Sequence, residues 1–278
     1  MTHIGKKKRI DVLLVEQNLF ESREQAKRSV MAGEVYNQDN LRFDKPGEKV
    51  DPDTVFHLAK NAHSKYVSRG GYKLEKALKS FDIDLSDRIC LDIGSSTGGF
   101  TDVALQNGAQ KVYALDVGYN QLAWKLRKDE RVIVMERVNF RYSKPDDFHE
   151  GLPSFAMTDV SFISLELILP PMFNIILPGS DAVCLIKPQF EAGPENVGKH
   201  GIVRDHKVHK MVLEKITNFA KEAGFIVSGL DFSPIKGGEG NIEFLMHIQK
   251  PQEEQPGEIL DNVSVESTME AAYANLNK

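Results

Sequence analysis

Apolar positions in the first 60 residues fall into two short helical patterns and a set of strand-like runs. In "RIDVLLVEQNLF", Ile10, Leu13, Leu14 and Leu19 recur at helical spacing. "SREQAKRSVMAGEV" opens on Ser22, has Gln25 three residues later as in a capping box, and reaches Gly33 as its stop. The pieces "EVYN", "LRF" and "TVFHL" then alternate with "QDN" and "DKPGEKVDP", which are rich in turn formers. Two helices and a small β-meander over 1–60 predict a module near the lower size limit for independent folding.

A polar linker is expected at 61–71, and the pattern then changes. A helix from Tyr72 to about Phe81 leads into alternating apolar runs and amphipathic segments, the sign of an α/β domain over 72–250. Strands are expected at "RICLDIG", "KVYALDVG", "RVIVME", "FAMTDV", "AVCLIK", "FIVSGLDF" and "IEFLMHIQ", giving a mainly parallel seven-stranded sheet of Rossmann-like type. Helices fit "GGFTDVALQNG" and residues 121–128, 164–176 and 207–223. In "VCLIKPQFEAG" the strand stops at Pro188 and a loop is expected to follow. Residues 251–278 form an extension: a Pro/Glu-rich linker, then "VSVESTMEAAYANL", which reads as a short helix of no legible function.

Composition adds the class and, through charge, a hint of partner. With 41% hydrophobic and 27% charged residues the chain reads as soluble and globular. Cys90 and Cys184 both lie in apolar runs and read as buried thiols of a reducing compartment, the cytoplasm, with no disulfide and no metal site. "MTHIGKKKR" has no apolar stretch behind its charges, so no signal peptide is expected. The most lipid-like stretch, "LELILPPMFNIILPG", contains Glu166, Asn174 and three prolines and is too short to span a bilayer. The net charge of −5 hides an asymmetry: residues 1–79 carry +5 and residues 80–278 carry −10. A basic arm on an acidic body points to a polyanionic partner.

Two constellations carry candidate chemistry. "LDIGSSTGGFTD" takes a strand through Asp92 into a glycine turn and then a helix. Gly94 permits the tight turn, and Gly98 and Gly99 are expected to let a ligand approach the helix N-terminus. Asp116 ends the next strand, 22 residues after Gly94, where an acid accepts hydrogen bonds from ribose hydroxyls. The spacing is D-x-G-x-x-x-G-G, neither a nicotinamide fingerprint nor a P-loop. The second constellation is Lys73, Asp159, Lys187 and Glu243, each at a strand end or helix start. Deprotonating a poor oxygen nucleophile needs a base and a stabiliser for the developing oxyanion. A free lysine titrates near 10.4, so a lysine base must be made more acidic by a neighbouring cation or by desolvation.

These residues carry four resemblances. The stretch from Arg9 to about Lys60 resembles the S4 RNA-binding fold, which implies that Arg9, Arg23, Lys27 and Arg28, with Arg69 beyond them, face RNA. The glycine loop resembles motif I of the class I S-adenosylmethionine-dependent methyltransferases. That implies a cofactor site made of Asp92, Gly94, Ser96, Thr97, Gly98, Gly99, Phe100, Asp116, Asn139 and Asp159. The Lys-Asp-Lys-Glu order resembles the tetrad of FtsJ-type ribose 2′-O-methyltransferases. "SRGGYKL", "DVGYNQLAWKLR", "TDVSFISL", "IKPQFEAG" and "GNIEF" together resemble the TlyA, or haemolysin-like, family. That resemblance implies methylation of the ribose of cytidine in ribosomal RNA or ribosomal subunits, with Lys187 as general base made more acidic by Lys73. Two rivals are an RNA-binding assembly factor with an inert methyltransferase domain and a membrane-active haemolysin. The intact tetrad and glycine loop oppose the first, and the lack of an apolar span opposes the second.

Overall fold

The apolar runs of residues 80–250 assemble into a single sheet, while the first 60 residues build a separate small core. In the computed structural model, residues 7–38, 42–58, 65–237 and 240–276 are described. They divide into two units, Met1–Arg69 and Gly70–Lys278. Most of the linker expected at 61–71 precedes that boundary, and residues 61–64 lie outside the described residues, as does Lys6 of the basic start.

The first unit contains β1 (Lys8–Arg9), α1 (Ile10–Glu16), α2 (Arg23–Met31), β2 (Val35–Asn37), β3 (Arg42–Phe43), β4 (Lys49–Val50) and β5 (Phe56–Leu58). Strands β3, β2 and β5 form an antiparallel sheet in that order, and β1 pairs with β4. Ile10, Leu13 and Leu14 of α1 meet Ala26 and Val30 of α2 and Val35, Phe43 and Phe56 of the strands in one buried core. Helix α2 starts as its sequence predicts: Ser22 Oγ accepts from the Gln25 N–H at 3.3 Å. The return bond differs, because Gln25 Oε1 accepts from the N–H of Glu21, one residue before the cap.

The second unit begins with α3 (Gly71–Ser80). The elements β6 (Ile89–Ile93), α4 (Gly99–Gln106), β7 (Lys111–Asp116), α5 (Trp124–Arg127), β8 (Val132–Glu136) and β9 (Phe155–Thr158) follow. Then come α6 (Leu169–Ile175), β10 (Asp181–Ile186), α7 (Pro188–Glu191), α8 (His206–Glu222), β11 (Ile226–Phe232), β12 (Phe244–Gln249), β13 (Glu258–Ile259) and α9 (Val265–Leu276). The sheet runs β13-β11-β12-β10-β9-β6-β7-β8. Strands β8, β7, β6, β9 and β10 are parallel, and β12 is antiparallel to both β10 and β11. All seven expected strands are present, and the extension adds β13 as an eighth, parallel to β11. Leu91, Ala156, Cys184 and Met246 are fully buried, as strands covered on both faces require.

Three local expectations are corrected. The segment 164–176 is a 3-10 turn, Leu165–Leu167, followed by α6, because Pro170 and Pro171 lack N–H groups and fit only a first helical turn. The helix expected at 121–128 shrinks to α5, whose preceding residue Ala123 donates its N–H to the Thr97 carbonyl at 3.0 Å. Pro188 does end the strand, but it opens the helix α7 at its first position where a loop was expected.

Candidate active site

Open α/β sheets gather ligands at the carboxyl ends of their parallel strands. Asp159 directly follows β9, and Lys187 directly follows β10. Glu243 immediately precedes the antiparallel β12, which brings it to the same edge. Lys73 reaches them from the first turn of α3. Its Nζ lies 2.6 Å from Glu243 Oε2 and 3.3 Å from Asp159 Oδ2. Lys187 Nζ pairs with the other Asp159 oxygen, Oδ1, and donates to Ser161 Oγ at 3.1 Å. Gln189 Nε2 donates to the remaining Glu243 oxygen at 3.3 Å. Four residues spread over 170 positions thus form one hydrogen-bonded chain, Lys187–Asp159–Lys73–Glu243.

The two lysines are electrostatically unequal. Lys73 contacts two carboxylates, whereas Lys187 contacts one carboxylate oxygen and a hydroxyl. Burial alone would make Lys73 easier to deprotonate, but Asp159 and Glu243 outweigh it and its pKa is raised. Burial likewise opposes the Asp159 charge, and the two ammonium groups overcome it, holding the carboxyl below its usual range. Lys73 therefore stays a cation and Asp159 an anion at neutral pH.

Beside the tetrad lies a cavity of about 400 Å3 at the ends of β6, β7 and β8. Its apolar wall includes Ile93, Leu115, Val138, Phe140 and Ile168, and its polar wall includes Ser96, Asp116, Asn139, Asp159 and Ser161. Asp116 is fixed by two backbone donors, Ser96 N–H at 2.8 Å and Gly118 N–H at 2.7 Å. Its remaining lone pairs can accept from a ligand diol. The lining carboxylates, Asp116 and Asp159, suit a ligand with a positive charge, and the apolar wall suits a planar ring. A methyl-donating adenosyl sulfonium has those three features. Asp159 belongs to this wall and to the tetrad alike, and Ser161 of the same wall bonds Lys187, so the two sites adjoin.

Of the expected cofactor residues, Gly94, Ser96, Asp116, Asn139 and Asp159 line the cavity. Asp92, Thr97, Gly98, Gly99 and Phe100 do not, for physical reasons. Asp92 is 1% exposed and turns its Oδ2 into α4, accepting from Thr101 N–H at 2.9 Å and Oγ1 at 2.6 Å. Burial pushes its carboxyl up to about 7. Gly98 is left-handed (φ +98°), and a Cβ there would come within 2.3 Å of Leu126 and 2.7 Å of Leu122. That glycine therefore serves packing against α5. Gly99 and Phe100 are buried in the first turn of α4, and Thr97 is the carbonyl partner of Ala123. Asn139 caps the following 3-10 turn, its Oδ1 accepting from Arg141 N–H at 3.2 Å.

Ser161 and Gln189 were not singled out from sequence. Each lies two residues beyond a tetrad member, and that offset is the signal that would have found them.

In the first unit, the buried Asp11 gathers two of the expected RNA-facing residues. Arg9 bonds both of its oxygens, at 2.9 and 3.1 Å, and Arg23 joins at 2.9 Å. The Arg9 hydrogen bonds lead in holding the Asp11 carboxyl down to about 2, and Arg23 reinforces them against burial. Lys27 pairs with Glu24 at 2.7 Å and Arg28 donates to the Glu24 carbonyl at 3.3 Å, on the exposed side of α2. Arg69 is half-buried at the end of the unit.

Comparison with known proteins agrees with this geometry. The sequence model of the family described as "FtsJ-like methyltransferase" matches residues 66–250. "Putative rRNA methyltransferase YqxC" of Bacillus subtilis is 59% identical, with 99% of this chain and 97% of the relative covered. "16S/23S rRNA (cytidine-2'-O)-methyltransferase TlyA" of Mycobacterium tuberculosis is 39% identical, with 88% of this chain and 91% of the relative covered. The solved structure "Putative hemolysin from Streptococcus thermophilus" superposes with a TM-score of 0.78 at 56% identity, covering 98% of this chain and 97% of that one.

Proposed function

The chain belongs to the FtsJ-like methyltransferase family, and we propose that it methylates the ribose 2′-hydroxyl of cytidine in ribosomal RNA, with S-adenosylmethionine as donor. The observation that carries this reading is the continuous Lys187–Asp159–Lys73–Glu243 chain sharing Asp159 with the adjoining cavity. The relatives named as rRNA methyltransferases support the substrate class.

Asp116 would hold the ribose diol of the donor, Val138, Phe140 and Ile168 would line the space for its adenine, and Asp159 would meet its positive charge. When bound, that donor supplies an electrophilic methyl group, which leaves alignment and deprotonation to the protein. Lys187 accepts the proton of the 2′-hydroxyl. It is paired with one carboxylate where Lys73 is paired with two, so its amine is the less firmly held of the two. Lys73, kept charged, stabilises the developing oxyanion. Glu243, itself held by Gln189, fixes Lys73, while Ser161 orients the Lys187 amine. The first unit docks RNA through Arg9 and Arg23, preset by Asp11, together with Lys27 and Arg28.

The test is tritium transfer from methyl-labelled donor to unmodified small and large ribosomal subunits, followed by mapping of alkali-resistant linkages. Label on cytidine ribose is expected. Label on a base, or no transfer to either subunit, would refute the reading.

A further inference from the structure

The loop that delivers Glu243 also lines a second cavity, of about 420 Å3, that neither the tetrad nor the donor site uses. Among the described residues its lining carries Arg204, His206, His209 and Lys236 beside the phenol of Tyr273, and no carboxylate. The nearby Asp205 caps α8, its Oδ1 accepting from Lys207 N–H at 2.8 Å, and it is the acid whose charge reaches His209 and Tyr273. Arg204 and Lys236 are exposed, and neither forms an ion pair among the described residues. Cations that share a cavity without a carboxylate repel each other until an anion joins them. The 17-residue helix α8 starts at His206, so its positive dipole end adds to the same field.

The cavity is built to hold its shape. Tyr273 of α9 stacks on His206 with ring centroids 3.8 Å apart and planes 10° from parallel. Its hydroxyl lies 2.7 Å from Nδ1 of His209, a residue 1% exposed whose Nε2 has no hydrogen-bond partner among the described residues. Asn241 ties the opposite walls, accepting from Val203 N–H at 3.0 Å and donating to the Gly201 carbonyl at 2.9 Å. Ile242 lines the cavity and the next residue, Glu243, holds Lys73. Adjacent residues of one segment thus line the cavity and complete the tetrad.

We propose that this cavity binds phosphate, and that its occupant is a phosphodiester of the substrate RNA close to the ribose being methylated. The inference rests on the ribose-methylation reading for its occupant, but the cavity's chemistry stands apart from it. Residues 80–278 carry a net charge of −10, so RNA is repelled by the average field of this stretch and needs local basic sites to settle on it. Through Tyr273 the C-terminal extension acquires a role, walling a site whose other residues come from the methyltransferase segment.

The test is fluorescence anisotropy of a labelled single-stranded ribosomal RNA fragment, without methyl donor, over a range of salt concentrations. The wild-type chain is compared with Arg204→Ala/Lys236→Ala and with a control of equal charge change, Lys79→Ala/Lys144→Ala. The first double variant is expected to bind roughly 10- to 100-fold more weakly at low salt. Its log–log salt slope should be shallower by about 1.4, at about 0.7 per lost single-strand phosphate contact. The unfolding midpoint and donor affinity should not change, and the control should keep wild-type RNA affinity. A parallel titration with inorganic phosphate follows the imidazole resonances of His206 and His209. Saturable shifts that vanish in the variant, with RNA binding intact, would support the phosphate site and make its occupant a free anion. Unchanged RNA affinity and slope together with no phosphate-dependent shift overturn the proposal. If wild-type protein transfers no methyl group to RNA yet the variant still loses affinity, the ribose-methylation reading fails and the phosphate site survives.

Discussion

Lys73→Ala and Lys187→Ala remove the same charge from the same site, and the structure requires them to fail differently. After Lys187→Ala, Asp159 loses one of its two cations but keeps Lys73 at 3.3 Å, and Glu243 keeps it at 2.6 Å, so no buried carboxylate is left without a cation. The stability cost is then the lost packing of the lysine stem, about 1–2 kcal/mol. Lys73→Ala instead leaves Glu243, 2% exposed, with only the neutral Gln189. Stripping one partner from a buried pair costs about 3–5 kcal/mol. For a unit of this size that lowers the melting temperature by roughly 6–20 °C. Activity should fall in both, and in Lys187→Ala by at least about 100-fold to 10,000-fold, the range of general-base catalysis. Lys187→Arg separates charge from basicity, since guanidinium keeps its proton in proteins. That variant should fold, bind donor and remain inactive. The assays are thermal denaturation, calorimetry with S-adenosylmethionine and tritiated-methyl transfer. Near-wild-type turnover by Lys187→Arg would refute the base assignment, and equal melting of the two alanine variants would refute the electrostatic asymmetry.

Two further outcomes follow from the cavity and its loop. Asp116→Ala should weaken S-adenosylmethionine binding by roughly 10- to 100-fold, the worth of one or two charge-assisted hydrogen bonds, read by calorimetry; unchanged affinity would remove Asp116 from the ribose role. Asp92 has a folded pKa raised to about 7 by burial. The stabilisation tied to its protonated form is therefore complete below the unfolded value near 3.9 and lost as pH rises towards 7. Asp92→Asn should consequently gain on the wild type by about 1–3 kcal/mol between pH 5 and pH 8 in urea denaturation, whereas a pH-independent difference would mean that Asp92 is not buried as an acid.

Legibility divided along physical lines. The seven strands announced themselves because a strand covered on both faces must be apolar throughout, as "VCLI" is from Val183 to Ile186. The order Lys73, Asp159, Lys187, Glu243 was legible through its resemblance to a known tetrad, since a single lysine at a strand end is ordinarily just solvated. What sequence could not supply was the division of labour within the glycine loop. Asp92, Gly98 and Phe100 share a motif with Gly94 and Ser96, but whether a residue faces ligand or helix depends on how α4 and α5 pack. The supporting pair, Ser161 and Gln189, has no periodic signature, and only its two-residue offset from Asp159 and Lys187 marks it in the sequence. The neighbour of Lys187 was also misread: a proline ends a strand and starts a helix with the same missing N–H, and only the tertiary fold chooses between them.

Gly94 shows how the two constellations depend on each other. It is left-handed (φ +83°), which glycine alone adopts at little cost, so the tight turn read from sequence is real. A Cβ there would also lie 3.1 Å from the Asp159 carbonyl oxygen and 3.1 Å from Val160 Cγ1. The glycine therefore lets the loop after β6 press against the segment leaving β9, and the Asp159 N–H closes that contact on the Ile93 carbonyl at 3.2 Å. Asp159 is then both a wall of the cavity and the anion between two lysines. The cavity and the two lysines on Asp159 are kept in register by one backbone contact that a side chain at position 94 would crowd.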